Sequence, residues 1–271
     1  MTALKNKIDF VAIVAVNRAN CNGDPLNGNR PRTDYNGFGE ISDVCIKRKL
    51  RNRMQDLGNP IFVQSDDRCD DGFDSLSKRA EASLKGIKSK AEYAQKACEN
   101  WMDVRAFGQV FAFKGGVSVG VRGPVSIHQA VSLAPVEVES VQITKSVNSE
   151  SGDKKGADTM GMKHFVRYGL YELKGSVNVQ LAEKTGFTQE DANVLKECLR
   201  TLFVNDASSA RPEGSMEVVK LIWWQHNCKE GQYSSAKVHR SVHVQPCPEG
   251  ETPVVELDEL PGLVPEVIDG V

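Results

Sequence analysis

Residues 8–54 read IDFVAIVAVNRANCNGDPLNGNRPRTDYNGFGEISDVCIKRKLRNRM and contain the first unit of the fold. Residues 8–16 are apolar almost throughout, which predicts a central β-strand covered on both faces. A turn-rich loop follows, and a helix is predicted to begin near Ser42, a favourable N-cap residue. The loop, about 25 residues with no regular structure predicted, is longer than a compact domain usually carries without a function. The helix should bury one apolar face, formed by Ile46, Leu50, Met54 and Leu57.

The same helix is strongly basic. Five cations occur between positions 47 and 53, and no acid lies inside the run, so the cations are not expected to neutralise one another. Arg48 and Arg51 should point away from the apolar face, with Lys47 and Lys49 on its flanks. Arg53 falls near the apolar stripe and must extend to solvent, pair or reach a ligand. The pattern fits either an ordinary solvated helix face or a surface for a polyanion.

The rest of the core alternates between strands and helices. A helix after residue 188 starts with a Thr-x-x-Asp capping signature, Thr188 to Asp191. Strand patterns occur at residues 103–113, 117–121, 135–144, 165–171, 177–181 and 216–224. Taken together, the core elements run strand, helix, strand, strand, helix, strand. That order predicts an α+β fold of the split βαβ kind, which ferredoxin-like and RNA-recognition domains share.

Three segments are predicted to depart from this core within one domain spanning residues 1–271. Residues 60–102 are polar and largely helical, with few apolar positions, and are interpreted as an insertion on the core. Residues 140–170 predict a long β-hairpin with a polar tip that projects from the body. Residues 248–271 form an acidic tail, either disordered or covering the basic surface of a neighbour.

Length, charge and cysteine content narrow the class of protein and its cellular compartment. The chain has 271 residues, of which 40 % are hydrophobic, enough for a sizeable core. Seven of the 36 acids and none of the 34 Lys and Arg residues lie in the tail, so the body is mildly basic. Seven scattered cysteines favour a reducing compartment. Without a signal-peptide pattern or an 18-residue apolar run, we expect a cytoplasmic protein that does not enter a membrane.

Motifs for catalysis are weak. The chain has no phosphate-binding loop of the Gly-x-x-x-x-Gly-Lys-Ser/Thr type and no recognisable serine or cysteine nucleophile motif. Asp24 and Asp34 lie in the long loop, where turn formation is a commoner role than RNA cleavage. Five potential metal ligands lie close together at a spacing that matches no zinc motif. They are His226, Cys228, His239, His243 and Cys247.

Nucleic-acid binding explains more of the sequence. The basic helix, loop arginines and hydroxyl donors suit a phosphate backbone. The usual RNA-recognition mode stacks bases on aromatic residues of the central strands, yet the first strand offers only Phe10. Binding is therefore expected to grip the backbone and to be indifferent to base sequence.

Several motifs occur in a characteristic order. They are Asn22-Gly23-Asp24-Pro25, Pro31-Arg32-x-Asp34, Ser42-Asp43-Val44-Cys45-Ile46-Lys47-Arg48-Lys49, Asp103-Val104-Arg105-Ala106-Phe107-Gly108, Arg122-Gly123-Pro124-Val125, Met160-Gly161-Met162-Lys163, Tyr168-Gly169-Leu170-Tyr171 and residues 208–212. This set, spread over about residues 8–225, resembles the guide-RNA-binding backbone subunit of type I CRISPR surveillance complexes (Cascade). The resemblance is strongest to the type I-C (Dvulg) branch.

The resemblance implies a hand-shaped, non-catalytic protein. An RNA-recognition-like palm would hold the CRISPR RNA, the 60–102 insertion would form helical fingers, and the 140–170 hairpin would form a thumb. Copies would polymerise head-to-tail along the guide, join other Cascade subunits and leave the guide's bases free to pair with target DNA. No metal or cofactor is implied. The implied RNA-binding residues are Asn22, Arg30, Arg32, Lys47, Arg48, Lys49, Arg51, Arg122, Lys145, Met160, Met162, Lys163, Ser208, Ser209 and Arg211.

Two alternatives stay open. One is a backbone subunit that also cuts target RNA with a metal ion, as type III relatives do, through Asp24 or Asp34. The other is a structural or metal-binding protein that has no connection with RNA.

Overall fold

The computed structural model describes residues 3–113, 116–144 and 160–271. Its strands are β1 (Ile8–Ala19), β2 (Gly23–Asp24), β3 (Arg30–Pro31), β4 (Phe38–Ile41), β5 (Gly108–Phe111), β6 (Val119–Arg122), β7 (Val125–Ile127), β8 (Ala130–Pro135), β9 (Val138–Thr144), β10 (Met160–Val177), β11 (Met216–Gln225), β12 (Val242–Val244), β13 (Val255–Leu257) and β14 (Glu266–Asp269). Its α-helices are α1 (Asp43–Asp56), α2 (Leu76–Leu84), α3 (Lys90–Asn100), α4 (Met102–Phe107), α5 (Val179–Thr185), α6 (Gln189–Arg200) and α7 (Ser235–Arg240).

A large antiparallel sheet organises the molecule. Among the described residues it has eight strands, with the path β14-β11-β1-β10-β8-β4, and β7 and β9 also pair with β10. β1 lies inside this path, with Ile8 opposite Val177 of β10 and Gln225 of β11. Its side chains from residue 8 to 16 are all buried. The expected two-sidedly covered strand is therefore confirmed, and the expected strand at 216–224 is β11.

The two faces of the sheet carry separate cores. Phe10 and other even-numbered side chains of β1 pack under α1, α5 and α6, and Phe10 stacks on Trp223 with ring centroids 5.6 Å apart. Odd-numbered side chains such as Ile13 pack under α7 and the C-terminal residues Leu260 and Leu263. Since Phe10 is fully buried, the central strands present no aromatic ring there for a base.

The predicted helix boundaries depend on local capping, and two of them are confirmed. The Ser42 hydroxyl accepts a hydrogen bond from the Cys45 amide, which starts α1. The Thr188 and Asp191 side chains each accept from the other's backbone amide and form a full capping box at α6. Ile46, Leu50 and Met54 are buried as expected, whereas Leu57, the C-cap, is 39 % exposed.

Two predicted strands are wrong. Residues 103–107 belong to α4, and only 108–111 form a strand; the Asp103 carboxylate fixes this helix by accepting from the amides of Phe62 and Val63. Residues 179–181 begin α5, because the Asn178 side chain caps the helix by accepting from the Leu181 amide at 2.8 Å. At α5 a capping side chain overrides the alternating apolar pattern, whereas α4 has no side-chain cap and is held to residues 62–63 through Asp103.

The insertion has a core of its own. Phe62 contacts Trp101 and Phe111 at centroid distances of 4.7 and 5.1 Å, and Tyr93 meets Phe111 at 5.4 Å. Two helices, α2 and α3, lie in the segment that was expected to be polar and largely helical. Trp101 and Val104 face this aromatic cluster while Met102 and Ala106 face the main core. Helix α4 therefore joins the two cores.

The acidic tail is built into the fold. β13 pairs with β12, and β14 pairs with β11 at one end of the main sheet. Lys196 pairs with Glu266 at 2.5 Å, and Lys220 pairs with Asp269. The sequence left open a disordered tail or a tail that covers a neighbouring copy. Neither alternative included the observed pairing of the tail with the chain's own sheet. Within the described ranges, no helix has the length and apolar content that crossing a bilayer requires.

Candidate nucleic-acid interface

The long loop between β1 and α1 is ordered by its own polar side chains. It contains the β2–β3 pair and then β4, which joins the main sheet beside β8. The Asn22 side-chain oxygen accepts from the Ser42 amide at 2.9 Å and the Ser42 hydroxyl at 2.8 Å. Asn22 therefore fastens the loop to the start of α1. The expectation of an irregular loop is wrong because these short strands and side-chain bonds satisfy its backbone.

The two loop aspartates form turns. The Asp24 carboxylate accepts from the Leu26 amide at 3.2 Å and pairs with Arg32 at 3.4 Å. The Asp34 carboxylate accepts from the amides of Asn36 and Phe38 at 2.8 and 2.9 Å. This geometry matches the turn-forming interpretation of both residues. Among the described residues, no three His, Cys, Asp or Glu side chains form a potential metal site.

The histidines of the C-terminal part have structural partners. His226 contacts the fully buried Asp9 carboxylate at 2.9 Å, and the same carboxylate pairs with Lys7. The His226 Nδ1 atom accepts from the Gln232 amide, so its Nε2 atom donates to Asp9. His239 lies 3.0 Å from the Gly175 carbonyl oxygen. These bonds hold the residue that follows β11 against β1, and hold α7 against β10.

Each of the five α1 cations has a partner within the protein. Arg51 pairs with the fully buried Asp103 at 2.8 Å and lies over the Phe107 ring. Arg48 donates to the Val63 carbonyl oxygen at 2.8 Å. Lys47 pairs with Asp43 at 3.0 Å, one turn before the basic run. Neither of the two interpretations left open by the sequence, a solvated face or a polyanion surface, included these partners, which come from residue 63, from α4 and from the first turn of α1.

Lys49 is the clearest departure from expectation. It was placed on the flank of α1, yet its side chain is 4 % exposed and pairs with Asp206, over the Phe203 ring. Burial lowers the pKa of Lys49, and the charge of Asp206 opposes that shift. Arg53 is also satisfied internally, since it donates to the Thr201 hydroxyl at 2.7 Å. The helix thus uses its cations to hold the 201–206 segment.

Cations from three separate segments gather near the start of α1. The Asp206 carboxylate accepts from Arg211 at 3.2 Å as well as from Lys49, so one anion serves two cations. Burial raises the pKa of the Cys45 thiol, and the charges of Lys49, Arg211 and Arg32 act in the opposite direction. The side chains of Arg32 and Arg211 are 39 % and 28 % exposed. We name Arg32, Lys49 and Arg211 the basic notch.

A serine-containing turn borders the basic notch. Ser208 and Arg211 exchange backbone hydrogen bonds of 2.8 and 3.0 Å, and both Ser208 and Ser209 are exposed. The amide of Asn20 donates to the Ala210 carbonyl oxygen, so this turn lies directly beside the long loop. The hydroxyls and guanidinium of this turn are the donor types that phosphate oxygens accept from.

The projecting hairpin has two distinct faces. Residues opposite one another on paired strands share a face, and alternate residues along one strand share it too. Met160 and Met162, 65 % and 55 % exposed, therefore lie on the same face as Ser140 and His164. Arg30 donates to the Ser140 hydroxyl at 2.7 Å from this side. The methionine face is thus continuous with the long loop, and Val141, Ile143 and Lys163 lie on the other face.

The remaining predicted residues are scattered. Arg122 is exposed at the end of β6, opposite Gly108 of β5, and its side chain makes no hydrogen bond or ion pair with the described part of the chain. Lys145 lies outside the described residues, as does the hairpin tip, residues 145–159. Two fully exposed side chains on the long loop, Leu26 and Tyr35, were not among the predicted RNA-binding residues; they are 98 % and 108 % exposed. A large apolar residue within a turn-rich stretch is the sequence pattern that could have identified each of them as a candidate contact.

Comparisons with known proteins agree on one family. A curated relative from Haloferax volcanii, "CRISPR-associated protein Cas7", is 27 % identical over 227 residues, 74 % of this chain and 65 % of that protein. The chain thus spans less than two thirds of the length of that relative.

Two solved structures share the fold. A chain of a "CRISPR RNA-guided surveillance complex, pre-nicking" matches with TM-score 0.53 and 17 % identity, covering 86 % of this chain and 81 % of that one. A chain of a "CRISPR RNA-guided surveillance complex" matches with TM-score 0.50 and 19 % identity, covering 91 % and 78 %. The family described as CRISPR-associated protein Cas7 matches residues 6–260. Because that match runs through nearly the whole sequence, the chain belongs to the Cas7 family.

Proposed function

We propose that this chain is the non-catalytic backbone subunit that carries the guide RNA in a cytoplasmic Cascade complex of the type I-C branch. The observation that carries the proposal is the convergence of the basic notch, the 208–211 turn and the methionine face along one long loop. These groups come from four separate stretches of sequence, yet the fold joins them by direct hydrogen bonds from Asn20 to Ala210 and from Arg30 to Ser140.

The palm of this subunit is the RNA-recognition-like part of the sheet. The path β11-β1-β10-β8, with α1 between β1 and β8 and α5 and α6 between β10 and β11, supports that interpretation. The fingers are the segment with its own aromatic core, residues 60–102 together with the strands that follow. The thumb is the β9–β10 hairpin with its tip.

The RNA is held by its backbone. Arg32, Arg211, Ser208 and Ser209 offer donors to phosphate oxygens beside the long loop, and Arg30 extends this positive surface. Arg122, at the end of β6, would make a separate contact. Lys49 contributes indirectly, because its buried ammonium holds Asp206, which in turn orients Arg211. Asn22 and Arg51 likewise act by positioning the loop and α1. Such a grip reads no bases, so any spacer sequence is accepted.

The thumb acts on the RNA and on the next copy. Met160 and Met162 are flexible, apolar and exposed on the face that adjoins the long loop, which suits a wedge that displaces a base. Copies associate head-to-tail along one guide, together with other Cascade subunits, and the bases between the wedges remain free to pair with target DNA. A repeated head-to-tail contact does not close on itself, so the number of copies follows from the length of RNA.

The test of the RNA path is the double variant Arg32→Ala/Arg211→Ala. Both side chains are partly exposed, and their removal leaves Asp206 paired with Lys49, so the fold should persist. Affinity for single-stranded RNA should fall at every sequence tested. The slope of log K against log salt should decrease by about 1.4, at about 0.7 per lost phosphate contact.

The matched control is Arg200→Ala/Arg240→Ala, which removes the same charge from α6 and α7. The control should bind RNA as the unaltered chain does. Equal affinity and equal salt slope for both double variants would exclude the basic notch from the RNA path.

A further inference from the structure

A groove on the fingers lies away from the proposed RNA path. It has a volume of about 470 Å³ and lies between α2, the turn before α3 and the residues that follow β5. Ala80, Leu84 and Tyr93 on its floor are buried, and Ile87 and Phe113 are half-buried. The groove therefore offers an apolar surface large enough to receive a few side chains.

The rim of the groove carries unpaired lysines. Lys85 and Lys88 line it and are exposed, and neither makes an ion pair or hydrogen bond with the described part of the chain. Lysines on the adjoining helices differ, since Lys78 pairs with Asp74 and Lys96 pairs with Glu99. Glu81 also lines the groove and is exposed, so two lysines outweigh one acid at the rim. The groove thus combines an apolar floor with a net positive rim.

A complementary surface occurs in the C-terminal region. We call residues 256–264 the acidic turn; within it the Leu263 amide donates to the Leu260 carbonyl oxygen at 2.9 Å. Both leucines are buried, and Glu259 and Val264 flank them, with Val264 84 % exposed. Glu256 and Glu259 are exposed and form no ion pair within the described ranges. His243 pairs with Asp258 and also feels the charge of Glu256, so one histidine faces three acids of the turn. The turn therefore presents an exposed apolar side chain next to a net negative charge.

The two surfaces lie on opposite sides of the sheet. The fingers adjoin the core under α1 and α4, whereas Leu260 and Leu263 of the acidic turn belong to the core on the α7 side. One copy therefore cannot satisfy both surfaces by itself. Two different, complementary surfaces on opposite sides of one chain are what a head-to-tail contact between copies requires.

We propose that the acidic turn of one copy docks in the lysine-rimmed groove on the fingers of a second copy. This contact rests on the head-to-tail assembly proposed above and assigns residues to it. The apolar floor favours a protein segment as the occupant, because a phosphate backbone would leave that floor uncovered. Val264 enters the groove, and Glu256 and Glu259 meet Lys85 and Lys88 at its rim.

The test measures assembly and RNA binding separately. Sedimentation of the chain on a long RNA reports copy-to-copy association, and titration of the shortest RNA that binds one copy reports the RNA contact. Lys85→Glu/Lys88→Glu should weaken assembly on long RNA at least about tenfold and leave binding of the short RNA unchanged. Lys78→Glu/Lys96→Glu makes the same charge change on the adjoining helices α2 and α3, outside the groove, and should assemble normally.

Charge exchange completes the test. A chain that combines Lys85→Glu/Lys88→Glu with Glu256→Lys/Glu259→Lys should recover assembly, because each groove then meets a turn of opposite sign. The proposal is overturned if the combined variant assembles no better than Lys85→Glu/Lys88→Glu, or if that double variant assembles normally. It is also overturned if the double variant loses short-RNA binding, which would assign the groove to nucleic acid. Failure of the unaltered chain to bind short RNA would instead refute the proposed function, and with it this contact.

Discussion

Removal of the Asp206 carboxylate should reveal how much free energy an unpaired buried cation costs beside the proposed RNA path. Lys49 is 4 % and Asp206 12 % exposed, so the pair is largely shielded from water. Removing one partner of a buried pair costs about 3–5 kcal/mol, mostly because the other charge is left unpaired. Asp206→Ala should therefore lower the free energy of unfolding by about 3 kcal/mol, measured by urea titration at pH 7 with tryptophan fluorescence.

The matched variant is Lys49→Met, which removes the buried charge and keeps the length of the side chain. It leaves Asp206 paired with Arg211, which is 28 % exposed, and should cost no more than about 1 kcal/mol. In the Lys49→Met background, Asp206→Ala should also cost only about 1 kcal/mol. The double-mutant cycle should then give a coupling energy of about 2 kcal/mol.

The dependence on pH follows from the pKa of Lys49, which burial lowers below the ordinary value of 10.5. Between the folded and unfolded pKa values the unfolded state binds more protons, so stability rises with pH in that interval. Without Asp206, the attraction that opposes the shift is lost and the folded pKa falls further. The Asp206→Ala variant should therefore gain more stability than the unaltered chain between pH 7 and 9.5, and Lys49→Met should remove that gain. Lys49→Met costing more than Asp206→Ala, or an Asp206→Ala stability that is flat in pH, would refute the buried-pair reasoning.

Two further predictions concern exposed and buried side chains. Met160→Ala/Met162→Ala should change the free energy of unfolding by less than about 0.5 kcal/mol, because both side chains are largely exposed, yet should abolish periodic nuclease protection of bound RNA. Val141→Ala/Ile143→Ala on the opposite face is the control, and an equal loss of protection there would contradict the assignment of faces. Iodoacetamide at pH 8 should modify the exposed Cys69 and Cys228 in the folded chain but spare Cys21, Cys98 and Cys198, because burial raises their pKa values to about 11, 11 and 12. Peptide mass spectrometry measures this, and modification of Cys198 as fast as Cys228 would contradict the described core.

Elements whose signals are local could be predicted from the sequence. The β1 strand is apolar over nine consecutive residues, and α1 and α6 begin at residues whose side chains bond to the backbone three positions later. The errors arose where two local signals competed. Residues 177–181 alternate like a strand, yet Asn178 caps a helix that Gly186 ends in a left-handed conformation. Capping decided the outcome there.

Long-range pairing of charges could not be predicted. Nothing in the spacing of the α1 cations indicates that Asp103, 52 positions from Arg51, or Asp206, 157 positions from Lys49, would reach the helix. A run of cations without internal acids fits a binding surface and a structural scaffold equally well. Only the fold shows which side chains are already satisfied by the protein.

The distribution of paired and unpaired charges bears directly on the proposed role as a guide-RNA filament subunit. A phosphate contact requires a cation whose donors still face solvent, and the α1 cations spend most of theirs on Asp43, Asp103, Thr201 and Asp206. Three of these cations, Lys49, Arg51 and Arg53, fix α4 and the 201–206 segment relative to α1. Arg211, which stays partly exposed, is positioned by Asp206 of the buried pair, and Arg32 is positioned by Asp24 in the long loop. Loss of a buried α1 cation should therefore disturb RNA binding through the position of the loops, and restoring charge elsewhere on the surface should not compensate for it.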